Sequence, residues 1–175
     1  MIATERLILR RDTPADHPAL HAMWADPRVM ADLGPVKSAA DSDAALAKHA
    51  SYHPQGLGFW VVEHRADGAV MGFCGLKPGA PDTPIAGALE IGWMLAVPYW
   101  KQGFASEAAA ASMAWAWENR DDAAIVAITS RQNAKSRGLM QRLGMTHVPQ
   151  LDFEHPLFAP GDPLRDTVTY RIARP

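Results

Sequence analysis

A chain of 175 residues with 48% hydrophobic and 21% charged residues has the make-up of one soluble globular domain, residues 1–175. Lys and Arg number 17 against 19 Asp and Glu, and a formal charge of -2 lacks the basic excess of a protein that neutralises many phosphates, so no nucleic-acid binding is expected. The single cysteine, Cys74, lies in the apolar stretch MGFCGL and cannot form an internal disulfide, which fits a reducing cytoplasm.

The N-terminal residues include Glu5, Arg6, Arg10, Arg11 and Asp12, which leaves no apolar core for a signal peptide. No uncharged run approaches the roughly 20 residues of a membrane helix, so a cytoplasmic protein without membrane contact is expected. ERLILRRD alternates as a strand, with Leu7 and Leu9 on one face. TPADHPALHAMWADPRVM reads as a helix opened by Thr13 before Pro14, and Asp41 or Ser42 suits the cap of a second helix through DAALAKHASY. LGFWVVEHR and AVMGFCGLK read as an antiparallel hairpin turning at Asp67 and Gly68.

After the loop PGAPDTPIAG comes the strand ALEIGWMLAV, followed by the alanine-rich helix SEAAAASMAWAWEN. AAIVAITS has the continuous apolar run of a strand buried on both faces. NAKSRGLMQRLGM reads as a helix capped by Asn133 and ended by Gly144. Strand, helix, strand, helix in that order implies a parallel crossover. THVPQLDF and DTVTYRIAR supply the last strands, giving an α/β (α+β) domain of about seven strands and four helices.

The stretch VPYWKQGFASEA opens a helix without the usual means of opening one. The first four amides of a helix have no internal acceptor and together carry about half a positive charge. Between Pro98 and Ala105 there is no Ser, Thr, Asp or Asn to cap them. A strand, a glycine turn and a helix start of this kind make an anion cradle, with water or Gln102 as the plainer way to satisfy the amides.

EIGWMLAVPYWKQGFASEA resembles the acetyl-CoA binding motif of the GNAT N-acetyltransferase superfamily and is closest to its RimJ/RimL-like branch, which acetylates protein N-termini. TERLILRR resembles the first strand of that branch, NAKSRGLMQRLGM its second CoA-contacting helix and DFEHPLFAPGDPLRDTVTYRI its closing segment. The resemblance implies a mixed, mostly antiparallel sheet with a splayed parallel pair in the middle. It also implies that the CoA pyrophosphate sits on the amides of Gln102, Gly103, Phe104 and Ala105, assisted by Ser106. The pantetheine arm would pair with backbone groups of Leu95 and Val97 in the splay, as a ligand that adds a strand. Asn133 matches a family asparagine that contacts the pantetheine, and Ser136 a hydroxyl near the thioester sulfur. Trp100 stands where the family pattern begins with Gln or Arg, which touches only a side-chain phosphate contact. Lys101, Lys135 and Arg137 stand where a 3′-phosphate would be met, or are solvated charges.

Acetyl transfer from a thioester needs a neutral amine, a base and donors for the oxyanion. Near pH 7 roughly one α-amine in ten is neutral, against one lysine in a few thousand. Glu90 is the expected base, because it is the only ionisable group in ALEIGWMLAV and burial would raise its pKa; a structural partner for Arg6, Arg10 or Arg171 is the alternative. The family tyrosine that protonates the departing thiolate is replaced here by Met140, which leaves Ser136 or Tyr99 to act. The amides of Trp93, Met94 and Leu95 are the oxyanion candidates.

The acceptor is expected to be an amine-bearing molecule, a protein N-terminus by branch resemblance, with amino acids, polyamines and aminoglycosides as alternatives, and the chain a monomer or homodimer. A CoA-binding sensor without turnover is the rival reading. His17 with His21, and His49 with His53, have helical metal-binding spacing, but no third ligand joins either pair in the sequence and no metal is expected. His49, Tyr52 and His53 fall in the segment that lines the acceptor mouth in GNAT folds, while Trp24, Trp60 and Trp93 suit either an acceptor tunnel or the core.

Overall fold

Alternation along the middle strands sorts the two faces of the sheet. In β3 (Gly58–His64) and β4 (Val70–Pro78), Trp60, Val62 and Cys74 point to one core, and Val61 and Phe73 to the other. The first core is closed by α4 (Phe104–Asn119), through Phe104, Ala108, Ala109, Met113 and Ala116. The second is closed by α1 (His17–Ala25) and α2 (Pro27–Met30), through Leu20, Met23, Trp24, Val29 and Met30.

The computed structural model describes all residues from 1 to 175. The remaining strands are β1 (Ile2–Ala3), β2 (Leu7–Arg10), β5 (Leu89–Leu95), β6 (Ala124–Ser130), β7 (Thr146–His147), β8 (Phe153–Glu154) and β9 (Asp166–Ala173). They lie in the order β1-β2-β3-β4-β5-β6-β9-β7, with β8 also on β9. Every pair is antiparallel except β5 with β6, joined through α4 as the crossover. That parallel pair is in register only at Leu89 with Ile125 and Glu90 with Val126; from Ile91 onward the two strands part.

Nine strands and five helices stand where about seven and four are expected, and the differences have local causes. The helix expected through residues 13–30 is broken. Thr13 opens a 3-10 turn with Asp16 in a reciprocal capping box, α1 follows, and Asp26 turns extended at ψ 114° ahead of Pro27, as a residue before proline prefers. Helix α3 (Ala39–Ala50) is capped by Ser38, whose hydroxyl accepts from the Asp41 amide; neither Asp41 nor Ser42 is the cap. THVPQLDF is split into β7 and β8 by a 3-10 turn at Pro149–Leu151. The hairpin at Asp67 and Gly68 and the helix α5 (Ala134–Arg142), capped by Asn133, form as expected.

Candidate active site

Where β5 and β6 part, a cavity of about 410 Å³ opens between the end of β5, the start of α4 and the start of α5. The turn into α4 holds Lys101 at φ 60° and Gly103 at φ 83°, two left-handed residues that point successive amides one way. The amides of Gln102, Gly103, Phe104, Ala105 and Ser106 donate to no acceptor in the chain; Glu107 is the first of α4 to do so, to the Gly103 carbonyl. Glu107 braces the turn from behind. Its carboxylate accepts from the Thr4 hydroxyl at 2.6 Å, the Arg6 amide at 3.0 Å and Arg6 Nε at 2.7 Å, while Arg6 Nη1 donates to the Gln102 carbonyl at 3.0 Å. The Arg6 guanidinium also lies 4.4 Å from the centre of the Phe104 ring.

Gly103, Phe104, Ala105, Ser106, Leu95, Asn133 and Ser136 all line this cavity; Gln102 and Val97 do not. Val97 sits in a 3-10 turn and its carbonyl accepts from the Trp100 amide, so it offers the splay no free acceptor. The Leu95 carbonyl is likewise taken, by Trp100 Nε1 at 2.6 Å. The Ala96 amide donates to Met71 across from it, and the alternation of an antiparallel ladder then turns Trp93 and Leu95 backbone groups away from β4 and Met94 groups toward it. The Trp93 amide and carbonyl and the Leu95 amide therefore face the splay, and the Met94 amide does not.

Asn133 is 4% exposed and does two jobs on α5: its Oδ1 accepts from the Ser136 amide and its Nδ2 donates to Ser136 Oγ, both at 3.1 Å. The Ser136 O–H is left with no acceptor in the chain and stands on the cavity wall. Of the basic candidates, Lys101 and Lys135 reach the cavity, Lys135 pairing with Asp32 at 3.2 Å and lying 4.6 Å from the centre of the Trp100 ring. Arg137 turns instead to the Arg131 carbonyl and the Tyr170 hydroxyl.

A second cavity of about 450 Å³ adjoins the first and shares with it Leu33, Trp93, Met94 and Ser136. Glu90 lies on its wall, 6% exposed, with its carboxylate against Lys77 Nζ from the facing position on β4. Burial raises the Glu90 pKa, and Lys77 opposes that rise without cancelling it. Neither Arg6, Arg10 nor Arg171 partners Glu90; Arg10 is held by Asp16 and Glu63. Met140 also lines this cavity and has no proton to give.

The model of the family described as Acetyltransferase (GNAT) domain matches residues 6–146. The chain belongs to the GNAT acetyltransferase family. This GNAT enzyme is an N-acetyltransferase of the acetyl-CoA-dependent kind. It is 30% identical to an acetyltransferase of Agrobacterium tumefaciens str. C58, with a TM-score of 0.79 over 98% of this chain and 92% of that one. A Salmonella typhimurium acetyl transferase that modifies the N-terminal serine of ribosomal protein L7/L12 shares the fold at 18% identity, with a TM-score of 0.78 over 97% and 96% of the two chains. So does spermidine N-acetyltransferase of Vibrio cholerae, solved with CoA and spermine, at 18% identity and a TM-score of 0.76 over 98% and 97%. The fold is thus equally close to proteins with two different acceptors, and the acceptor of this GNAT enzyme has to be read from its own side chains.

Of the other aromatic and histidine candidates, some line the second cavity and some do not. His49 is stacked under Phe59 at 4.1 Å, behind the cavity wall, and neither it nor Tyr52 or His53 lines the cavity. Trp60 packs edge-on against Trp115, whereas Trp24 and Trp93 do reach the second cavity. His17 and His21 acquire from α3 the third ligand that the sequence lacks: Asp43 Oδ1 lies 2.8 Å from His21 Nε2 and 3.7 Å from His17 Nδ1. That group lies between α1 and α3, outside both cavities. Lys77, Thr129 and Phe158 are wall residues that the sequence reading missed. For Lys77 the signal was present, a lone charge in an otherwise apolar strand run.

Proposed function

We propose that the enzyme transfers the acetyl group directly from acetyl-CoA to a primary amine, in a ternary complex without an acetyl-enzyme. One observation carries this reading: the cavity with the unpartnered amides and the cavity with buried Glu90 meet at Ser136 and Trp93. The CoA pyrophosphate fits the amides of Gln102 to Ser106, where the helix end offers donors and positive charge together. The pantetheine amides fit the Trp93 groups and the Leu95 amide that face the splay, with Asn133 beside them. This replaces the pairing with Val97.

At the junction each group has work that suits it. Glu90, its pKa raised by burial, takes the proton of the acceptor ammonium, directly or through a water, and frees the nitrogen lone pair. The amide of Trp93 or Leu95 meets the oxyanion as the thioester carbonyl is attacked. Ser136 already accepts from Asn133 and turns its O–H as a hydrogen bond to the departing thiolate, which takes its proton from the attacking nitrogen as the amide forms. Cys74 is no rival nucleophile: it is fully buried under the sheet, and burial pushes its thiol pKa up to about 12.

The test is Glu90→Gln assayed by release of CoA thiol across pH 6 to 9. A loss of about 10²-fold or more in kcat, with the melting shift by acetyl-CoA retained, is expected. An undiminished rate would remove Glu90 from the mechanism. Binding of acetyl-CoA with no release from any amine would favour a sensor.

A further inference from the structure

Resting on that reading, we infer that the acceptor is a small monoamine with a ring-sized apolar body and one negative group, of the class of aromatic α-amino acids, and not a polyamine.

Charge comes first. The acceptor cavity is lined by three charged residues, Glu90, Lys77 and Lys37, and Glu90 is already paired with Lys77. Lys37, held in place where its amide donates to the Trp24 carbonyl, makes no ion pair. A polyamine that presents one neutral amine keeps at least one further ammonium, which here finds no free carboxylate and an unpaired lysine. A desolvated cation without a partner is strongly disfavoured. The same lysine suits an acceptor that brings an anion.

The walls decide the body. Trp24 and Phe73 pack at 5.2 Å and Phe59 and Phe73 stack at 4.8 Å, so that three aromatic rings form one continuous side. Phe158 and Leu157 stand at the rim from the loop before β9, and the Phe158 ring meets Gly34, where an added Cβ would lie 3.6 Å from it. Leu157 is 83% exposed at that rim, an apolar surface that a ring entering the cavity would cover. A half-open cavity of about 450 Å³ is small-molecule sized.

The experiment measures kcat/KM at saturating acetyl-CoA for L-phenylalanine, phenethylamine, spermidine and a Phe-Ala-Ala peptide amide. Phenylalanine and phenethylamine share a ring and differ in the carboxylate, so their ratio reports the anion contact. Phenylalanine is expected to exceed phenethylamine by about tenfold, the equivalent of one desolvated charge contact, and to exceed spermidine and the peptide by more. Lys37→Glu should collapse the phenylalanine-to-phenethylamine ratio to below one, mainly through KM for phenylalanine. Preference for spermidine, for the peptide or for phenethylamine overturns the inference while sustaining acetyl transfer. No thiol release from any of the four, with acetyl-CoA still raising Tm, overturns the inference, and release from another amine in the same assay would leave the transfer reading standing.

Discussion

Lys77 and Glu90 stand directly opposite each other on β4 and β5, Nζ against Oε2, with side chains 20% and 8% exposed. The pair sets the charge at the floor of the acceptor cavity. Burial favours a neutral Glu90 and the ammonium favours a carboxylate, so the Glu90 carboxyl is held above its ordinary pKa and kept from rising further.

Lys77→Met should therefore move the acidic limb of the pH–rate profile to higher pH, because the opposing cation is gone. It should also cost stability that grows with rising pH, up to about 3 kcal/mol, because Glu90 loses the cation that offsets its burial. The double variant with Glu90→Gln should recover most of that loss. Urea unfolding of the two single variants and the double one measures it, and simple additivity would show that the pair is not coupled.

Gly103→Val tests the cradle. A left-handed φ of 83° costs a residue with a Cβ roughly 1–2 kcal/mol, more for a branched one. The new Cβ would meet Arg6 Nη2 at 3.3 Å, the tip of a flexible side chain, so the fold should survive. The stabilisation by acetyl-CoA, about 2.7 kcal/mol at a hundred times Kd in the parent, should vanish. A folded variant that still shifts in Tm would place the pyrophosphate elsewhere.

What was legible in the sequence was what is local. Gly103 and the missing cap lie within one turn of each other, and Asn133 caps its own helix, so the open helix start and the α5 cap could be read before any fold was known, while the assignment of CoA to them rested on resemblance. Ser38 with Asp41 was equally local and was overlooked in favour of Asp41 and Ser42. The second cavity was legible only in Glu90, Trp24 and Trp93, because the rest of its wall depends on register and on loops. That Glu90 faces Lys77 follows only once the ladder between β4 and β5 is aligned across a proline-rich loop. Gly34 meets Phe158, and Arg6 meets Glu107 across 101 residues, through topology alone.

Glu107→Ala should show how much the brace behind the cradle matters. The Glu107 carboxylate is partly buried, which alone would raise its pKa, but bonds from Thr4 and Arg6 outweigh this and lower it. Truncation leaves the Thr4 hydroxyl, the Arg6 amide and the Arg6 guanidinium without their acceptor, at about 2 kcal/mol. The loosened turn should raise KM for acetyl-CoA more than it lowers kcat. An effect confined to kcat would mean that the brace serves chemistry and not the seating of CoA.

His49 sets a pH window for stability. Its Nδ1 is buried without a partner and its ring is stacked on Phe59; burial first, then Lys77 and Lys48, lower its pKa from 6.5 to about 4. Above pH 6.5 the ring is neutral in both the folded and the unfolded chain. As pH falls below 6.5 the unfolded chain takes up a proton that the folded chain refuses, so stability falls until about pH 4. A depression of that size corresponds to about 3 kcal/mol across the window. His49→Phe keeps a ring against Phe59 and removes the titration. Its unfolding free energy should lose about 3 kcal/mol less between pH 7 and pH 4 than the parent does. Parallel curves for the two proteins would show that His49 is protonated in the fold and that its burial is not what weakens the protein in acid.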